Sequence, residues 1–411
     1  MPDAPESIGI VQRRHVIYVE GYDPQGAEGY YKLFERSWWR FLKLWQIAGK
    51  LGPLELDSSD FARWQVEAAG PNWQIATRYD FLRQEALIRA NMAEPLRRQI
   101  MRSLAWTLDY LVSGALVRVF RASWEFGLVL VHFQMQVIWW VLLSAAGGVA
   151  AGYTIWTKLW LPGLASIVLG IATAVTIFQL LRRIAERTFV IQINSHWPYL
   201  CEFARGEATC FDTPVETCAR HLVAAAQSGD AEEIVIVGHS GGGALAPVIV
   251  TRALELDPLL GRRGPPIVLL TLGSIAPGAA LHPRAARLRA AFARLAVEPC
   301  VTWVDAQSRR DVLNFWDFDP VAGIGIEARA NRHNPLIWRV RFRDMLSSEF
   351  YERIRFNFFR LHYQFIMAND MRAAYDYFML IAGPLPVATW ARDPGATLAR
   401  FGADAALSPE Q

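Results

Sequence analysis

The stretch Ile234-Val235-Ile236-Val237-Gly238-His239-Ser240-Gly241-Gly242-Gly243 decides how this chain is read. Its first four residues are β-branched and apolar, the signature of a buried strand. Gly238-His239-Ser240-Gly241-Gly242 then forms a Gly-x-Ser-x-Gly pattern, and Ala244-Leu245-Ala246 opens a helix-compatible run. A serine on a sharp turn between strand and helix is a nucleophile elbow. Flanking glycines let strand and helix approach without a Cβ in the way. The turn exposes the hydroxyl at the top of the sheet and leaves the N–H of Gly241 free to bind an oxyanion.

Outward from the elbow, strand-like and helix-like segments alternate. His15–Glu20, Pro266–Gly273 and Val301–Val304 read as buried strands, the last with Asp305 at its exit. Arg63–Ala68 and Trp73–Tyr79 read as two shorter strands around Gly70-Pro71-Asn72. Tyr30–Ile47, Pro214–Gln227 and Pro283–Leu295 carry helical spacing, and Asp80–Leu104 reverts to it. Phe189–Ile193 reads as extended, followed by an aromatic segment to Gly206. Alternation of this kind predicts an α/β protein with a mostly parallel sheet covered by helices on both faces.

The 411 residues include 53% hydrophobic residues and 16 tryptophans, an excess for a wholly soluble chain. Phe126–Thr157 contains no Asp, Glu, Lys or Arg, and after Lys158 the stretch Leu159–Leu181 is again free of them. A bilayer core needs about 20 apolar residues. Two spans are expected, near 128–150 and 159–181, with Tyr153, Trp156 and Trp160 at the turn where aromatic belts form. Arg118 and Arg121 precede this hairpin, and Arg182, Arg183 and Arg187 follow it. The positive-inside rule therefore places both flanks, both termini and the catalytic part in the cytoplasm, anchored to the inner membrane. The expected organisation is residues 1–110 and 188–411 as two parts of one α/β domain, with 111–187 as an inserted anchor.

Net charge is +3, from 42 basic and 39 acidic residues, which makes no case for nucleic acid. The four cysteines, Cys201, Cys210, Cys218 and Cys300, show no metal-ligand spacing. No phosphate-cradling loop or dinucleotide fingerprint is present, so neither cofactor nor metal is expected.

From Gly238 to His362 the chain resembles the α/β-hydrolase superfamily, in the style of membrane-linked bacterial relatives of lipases. The resemblance implies the chain order serine, acid, histidine. Only His333 and His362 follow both the serine and the strand expected to bear the acid, and the aromatic setting of His362 favours it as the base. Trp303-Val304-Asp305-Ala306-Gln307-Ser308-Arg309-Arg310-Asp311-Val312 resembles the family's acid-bearing loop, which implies Asp311. Asp319-Pro320-Val321 resembles an Asp-x-Val stretch of lipases and makes Asp319 the alternative. The Gly21-Tyr22 turn after the early strand is similar to the family's second oxyanion donor, with the N–H of Tyr22 in that role. These implications amount to a membrane-anchored serine esterase acting on a lipid or other apolar acyl group. An acyltransferase using the same residues, or a non-catalytic membrane scaffold of the same fold, would share the sequence features.

Overall fold

The computed structural model describes residues 9–56, 58–158, 162–187, 190–327 and 331–408. Eight strands are formed: β1 Arg13–Val19, β2 Ala48–Leu51, β3 Phe61–Ala69, β4 Gln74–Leu82, β5 Glu233–His239, β6 Ile267–Leu272, β7 Val301–Ser308 and β8 Leu336–Val340. They make one sheet in the order β2-β3-β4-β1-β5-β6-β7-β8. From β4 to β8 all neighbours are parallel, while β2 and β3 are antiparallel additions at one edge.

Strand chemistry follows position in the sheet. All seven residues of β5 are buried, because helices cover both of its faces. On the outer β3, Trp64, Val66 and Ala68 are buried while Gln65 and Glu67 are exposed, the alternation of a half-covered strand. Alternate residues of the central strands feed two separate cores. Ile17, Val19, Ile234 and Ile236 face one, with the helices Asp212–Ser228 and Gly242–Leu256. Val16, Tyr18, Val235 and Val237 face the other, with the helix Gly26–Trp45 and the C-terminal segments. That helix buries Phe34, Trp38, Phe41 and Trp45 along one stripe, so its aromatics serve the core.

Among the described residues, every segment between β4 and β5 is helical or a short connection, and β1 lies between those two strands. The chain before and after the insert therefore closes into one sheet. The insert includes a 35-residue helix, Trp124–Lys158, packed on the 25-residue helix Gly163–Arg187. Gly148 and Gly170 meet at the crossing, where a Cβ on either would lie 2.7 Å from the other's carbonyl oxygen. The windows Ile138–Lys158 and Gly163–Ile184 are long and apolar enough to cross a bilayer.

Several sequence expectations need correction. The apolar window Ile138–Lys158 overlaps the expected first span of 128–150, and the near end of that helix also packs onto the body. Phe126 and Leu130 are buried, and the Phe126 ring meets Trp197 and Phe315 at 5.6 and 4.9 Å. Residues 159–161 of the second expected span, Trp160 among them, lie outside the described residues. From Val190 to Arg205 the chain is a helix, where residues 189–193 were expected to be extended; Phe189 lies outside the described residues. Asp80 belongs to β4 instead of starting a helix, and Asp305 lies inside β7 instead of at its exit. Two short strands, β2 and β8, have no counterpart in the sequence reading.

A buried ion pair ties the C-terminal segments to the sheet. Arg14 Nε donates to Glu233 Oε2 at 2.7 Å, and the same guanidinium donates to the carbonyls of Gly383 and Leu385 at 2.8 Å each. Glu233 Oε1 accepts from the N–H of Val387 at 2.9 Å. Both side chains are almost wholly buried. Removing one partner of such a pair leaves an uncompensated charge, a loss of about 3–5 kcal/mol. Arg14→Ala is therefore expected to lower the thermal unfolding midpoint in detergent sharply, with Glu233→Gln milder because the amide still accepts a hydrogen bond. An unchanged midpoint for Arg14→Ala would count against this role.

Candidate active site

Ser240 follows β5 directly and takes a left-handed backbone, φ 57°. A non-glycine residue in that region carries strain and is held there by its surroundings. Its N–H donates to the Leu272 carbonyl at 3.0 Å, and its own carbonyl accepts from Gly243 at 3.1 Å. Gly242 makes the turn possible, since a Cβ there would lie 2.0 Å from the Val19 carbonyl oxygen. Gly21, just beyond β1, approaches from the other side, and a Cβ on it would lie 3.0 Å from that of Ser240. The end of β1 is thus pressed against the elbow. Among the described residues, neither the N–H of Gly241 nor that of Tyr22 donates a backbone hydrogen bond.

His362 ends the short helix Phe358–His362, capped by the Asn357 side chain. Its Nδ1 lies 2.8 Å from Asp311 Oδ2, and both residues are buried. Asp311 is held by its loop. Its Oδ1 accepts from the N–H of Leu313 at 3.0 Å, while Asn314 bonds Ser308 and the Asp311 carbonyl. With Nδ1–H turned to the carboxylate, Nε2 is the nitrogen left to take a proton. That Nε2 is buried without a hydrogen-bond partner among the described residues, and His362 lines the same cavity as Ser240. Tyr363, the next residue, donates to Asp23 Oδ2 at 2.9 Å, which joins the His362 segment to the Tyr22 turn. His239 Nε2 lies 3.3 Å from the His362 carbonyl, and burial followed by the proximity of His362 keeps its pKa well below the ordinary value.

The structure thus brings Ser240, Gly241, Tyr22, His362 and Asp311 together. Asp319 is not among them. Its Oδ1 accepts from the N–H groups of Val321 and Ala322, and its Oδ2 pairs with Arg332 at 2.6 Å, so it caps a turn. His333 lies on another loop, its N–H bonded to the Ala296 carbonyl. Asp305 accepts from Thr271 and Gln307 within the sheet, and burial raises its pKa to about 6 against those two hydrogen bonds.

The cavity has a volume of about 250 Å³ and a mostly apolar lining. Phe126, Val129 and Leu130 reach it from the near end of the long helix, and Trp197 and Phe359 also line it. His196 was set aside by chain order, yet it lies over the elbow. A Cβ on Gly241 would come 2.7 Å from its ring, and the ring stacks on Tyr22 at 4.7 Å. Desolvation lowers its pKa to about 4, which keeps it neutral near pH 7. Glu20 lines the same cavity and is buried, with Oε1 unpartnered among the described residues. Burial, then the nearby Asp23 and Glu85, push its pKa well above the ordinary carboxyl value. Neither residue had a motif in the sequence; the only pointer was the aromatic segment after residue 194.

A separate cluster joins His15, Asp80 and His221, with both imidazoles on Asp80 Oδ2 at 2.9 and 2.6 Å. Arg78 and Arg63 face the other carboxylate oxygen at 3.2 and 3.6 Å. Two guanidinium groups beside the carboxylate oppose a cation there, and the hydrogen bonds already engage the three groups. None of these residues lines the cavity. Comparison with known proteins yields no matching family model, no matching curated protein and no matching solved structure.

The burial of Asp305 has a consequence for stability that pH can read. The folded pKa of Asp305 lies above its ordinary 3.8, so the folded state binds the proton more tightly than the unfolded state. Its contribution to stability is complete below pH 3.8 and is lost as pH rises to about 6. Asp305→Asn should remove that decline from a plot of unfolding midpoint against pH while leaving the His362–Asp311 pair intact. An unaltered pH slope in the variant would contradict the assignment.

Proposed function

We propose that this chain is a membrane-anchored serine hydrolase with an α/β-hydrolase fold, cleaving carboxylic esters or thioesters of a lipid or other apolar acyl substrate. One observation carries the reading. Ser240 stands at positive φ on a strand-to-helix turn, in a cavity shared with a histidine whose far nitrogen is held by a buried aspartate. The order of the parallel strands around β5 and the helix that follows it also support the hydrolase fold.

In this mechanism His362 Nε2 takes the Ser240 proton as the hydroxyl oxygen attacks the substrate carbonyl carbon. Asp311 accepts from Nδ1–H and stabilises the imidazolium that forms. The tetrahedral oxyanion accepts hydrogen bonds from the N–H groups of Gly241 and Tyr22. The carbon–oxygen or carbon–sulfur bond then breaks, and His362 returns its proton to the leaving alcohol or thiol. Water, deprotonated by His362, attacks the acyl-serine; the acyl–Oγ bond breaks, His362 returns the proton to Ser240, and the acid is released. The apolar cavity suits an acyl chain, and the two bilayer-length helices keep the enzyme where such chains are concentrated. Basic flanks on both sides of the hairpin favour a cytoplasmic body and cytoplasmic termini at the inner membrane. No step calls on a cofactor.

A fluorophosphonate probe tests the reading on the full-length protein in detergent. Ser240 is expected to be labelled, with labelling abolished in Ser240→Ala. His362→Ala and Asp311→Asn should slow esterase turnover by about 10³–10⁴-fold or more, as losses within such a catalytic unit do. Asp319→Asn should stay within about threefold, in keeping with a surface cap. A folded protein that is not labelled at all would refute the hydrolase reading.

A further inference from the structure

The helix Leu96–Val112 buries one face and leaves an apolar face uncovered. Trp106 and Tyr110 turn inward, Tyr110 against Trp197. Outward stand Met101, Leu104, Leu108, Leu111 and Val112, with Leu108 61% and Val112 81% exposed. Their spacing, alternately three and four residues from 101 to 111, is a helical stripe. Exposure of large apolar side chains continues through Val117, Trp124 and Leu128. Between Met101 and Leu128 the exposed charged residues are Arg118 and Arg121 alone. The acid on this helix, Asp109, is turned to Arg205 and His282. Glu125, beside Trp124, is only partly exposed. An apolar run whose fully exposed charges are both positive fits an anionic lipid surface.

Continuity of the chain selects the bilayer as the occupant. The stripe leads directly into the helix Trp124–Lys158. Its 35 residues rise about 52 Å, while a bilayer with its headgroup zones is about 40–45 Å thick. With Lys158 in the far headgroup zone, an upright helix would lift Trp124 about 10 Å clear of the near one, and a tilt of about 30°, within the range of membrane helices, brings it back to headgroup level. A few residues beyond Trp124, the same helix presents Phe126, Val129 and Leu130 to the Ser240 cavity. Phe359 also lines that cavity, preceded by Phe356 and Phe358, 75% and 48% exposed.

We infer that residues 101–128 form a shoulder embedded in the leaflet next to the α/β body, so that the Ser240 cavity opens at the depth of lipid ester groups rather than to bulk water. The inference rests on the membrane-hydrolase reading and sharpens it: the substrate is an ester carried by a lipid of that leaflet, drawn in without leaving the bilayer. Arg118 and Arg121 meet the phosphates, and the stripe sits among the upper acyl segments, as interfacial helices do.

The test uses the full-length protein in vesicles of phosphatidylcholine and phosphatidylglycerol. In a Cys210→Ser, Cys300→Ser background, Leu108→Cys carries an environment-sensitive NBD dye, and Asp230→Cys, before β5, carries the control. The dye at 108 should emit to the blue and be quenched by lipids spin-labelled near the headgroup, while the dye at 230 should do neither. The double variant Leu108→Glu, Leu111→Glu should cut hydrolysis of a vesicle-borne lipid ester by roughly tenfold or more, since interfacial binding scales with buried apolar area. Its cleavage of a water-soluble short-chain ester should stay at the parent's level. Water-like emission at 108 with the hairpin inserted overturns the shoulder, and so does a blue shift without lipid quenching, which would mean that protein covers the stripe. Absence of fluorophosphonate labelling at Ser240 refutes the hydrolase reading separately, because the dye at 108 reports depth without catalysis.

Discussion

The structure depends on how closely the end of β1 is pressed against the turn after β5. A Cβ on Gly242 would stand 2.0 Å from the Val19 carbonyl oxygen, and one on Gly21 would stand 3.0 Å from the Ser240 Cβ. These contacts are between backbones, so no side-chain rearrangement relieves them. They hold Ser240 at a positive φ that its own Cβ disfavours. They also bring the Tyr22 turn beside the N–H of Gly241. Strain at the serine is thus supported by the register of β1 on β5, where Val19 pairs with Gly238.

That register forces a long-range closure. Some 200 residues separate β1 from β5, and the helical insert lies between them in sequence but not in the sheet. Its helices must leave and return on the same side of the sheet. The return is made by Val190–Arg205, which brings His196 over the elbow and Trp197 into the cavity. An insert that reads as a separable anchor therefore supplies part of the cavity wall. Phe126, Val129 and Leu130 do the same from the outgoing helix. The α/β body and the apolar hairpin share side chains rather than a linker.

Much of this was legible in the chain. Four β-branched residues before Gly238 marked β5, since a strand covered on both faces has no polar side to alternate with. The absence of charge from Phe126 to Thr157 marked a long apolar helix. Hydropathy alone does not distinguish Phe126, packed on Trp197, from Leu142, facing outward. The edge strand β2, with Gly49 and Lys50 among its four residues, carries no apolar run to detect. Asp305, inside β7, and Asp311, just past its end, lie six positions apart, and no periodicity separates them. Only the path of the loop does, turning Asp311 to His362 while Asp305 stays against Thr271.

The sequence by itself determined the class of architecture, the place of the elbow and the presence of two long apolar helices, because each rests on local spacing: period two, period 3.6, or a glycine pair around a serine. The tertiary structure alone decided which aspartate meets His362, that Asp319 caps a turn, and that His196 and Glu20 share the site. Those outcomes depend on contacts between segments far apart in the chain. Such contacts are selected by the packing of two cores on opposite faces of one sheet, which local patterns do not encode.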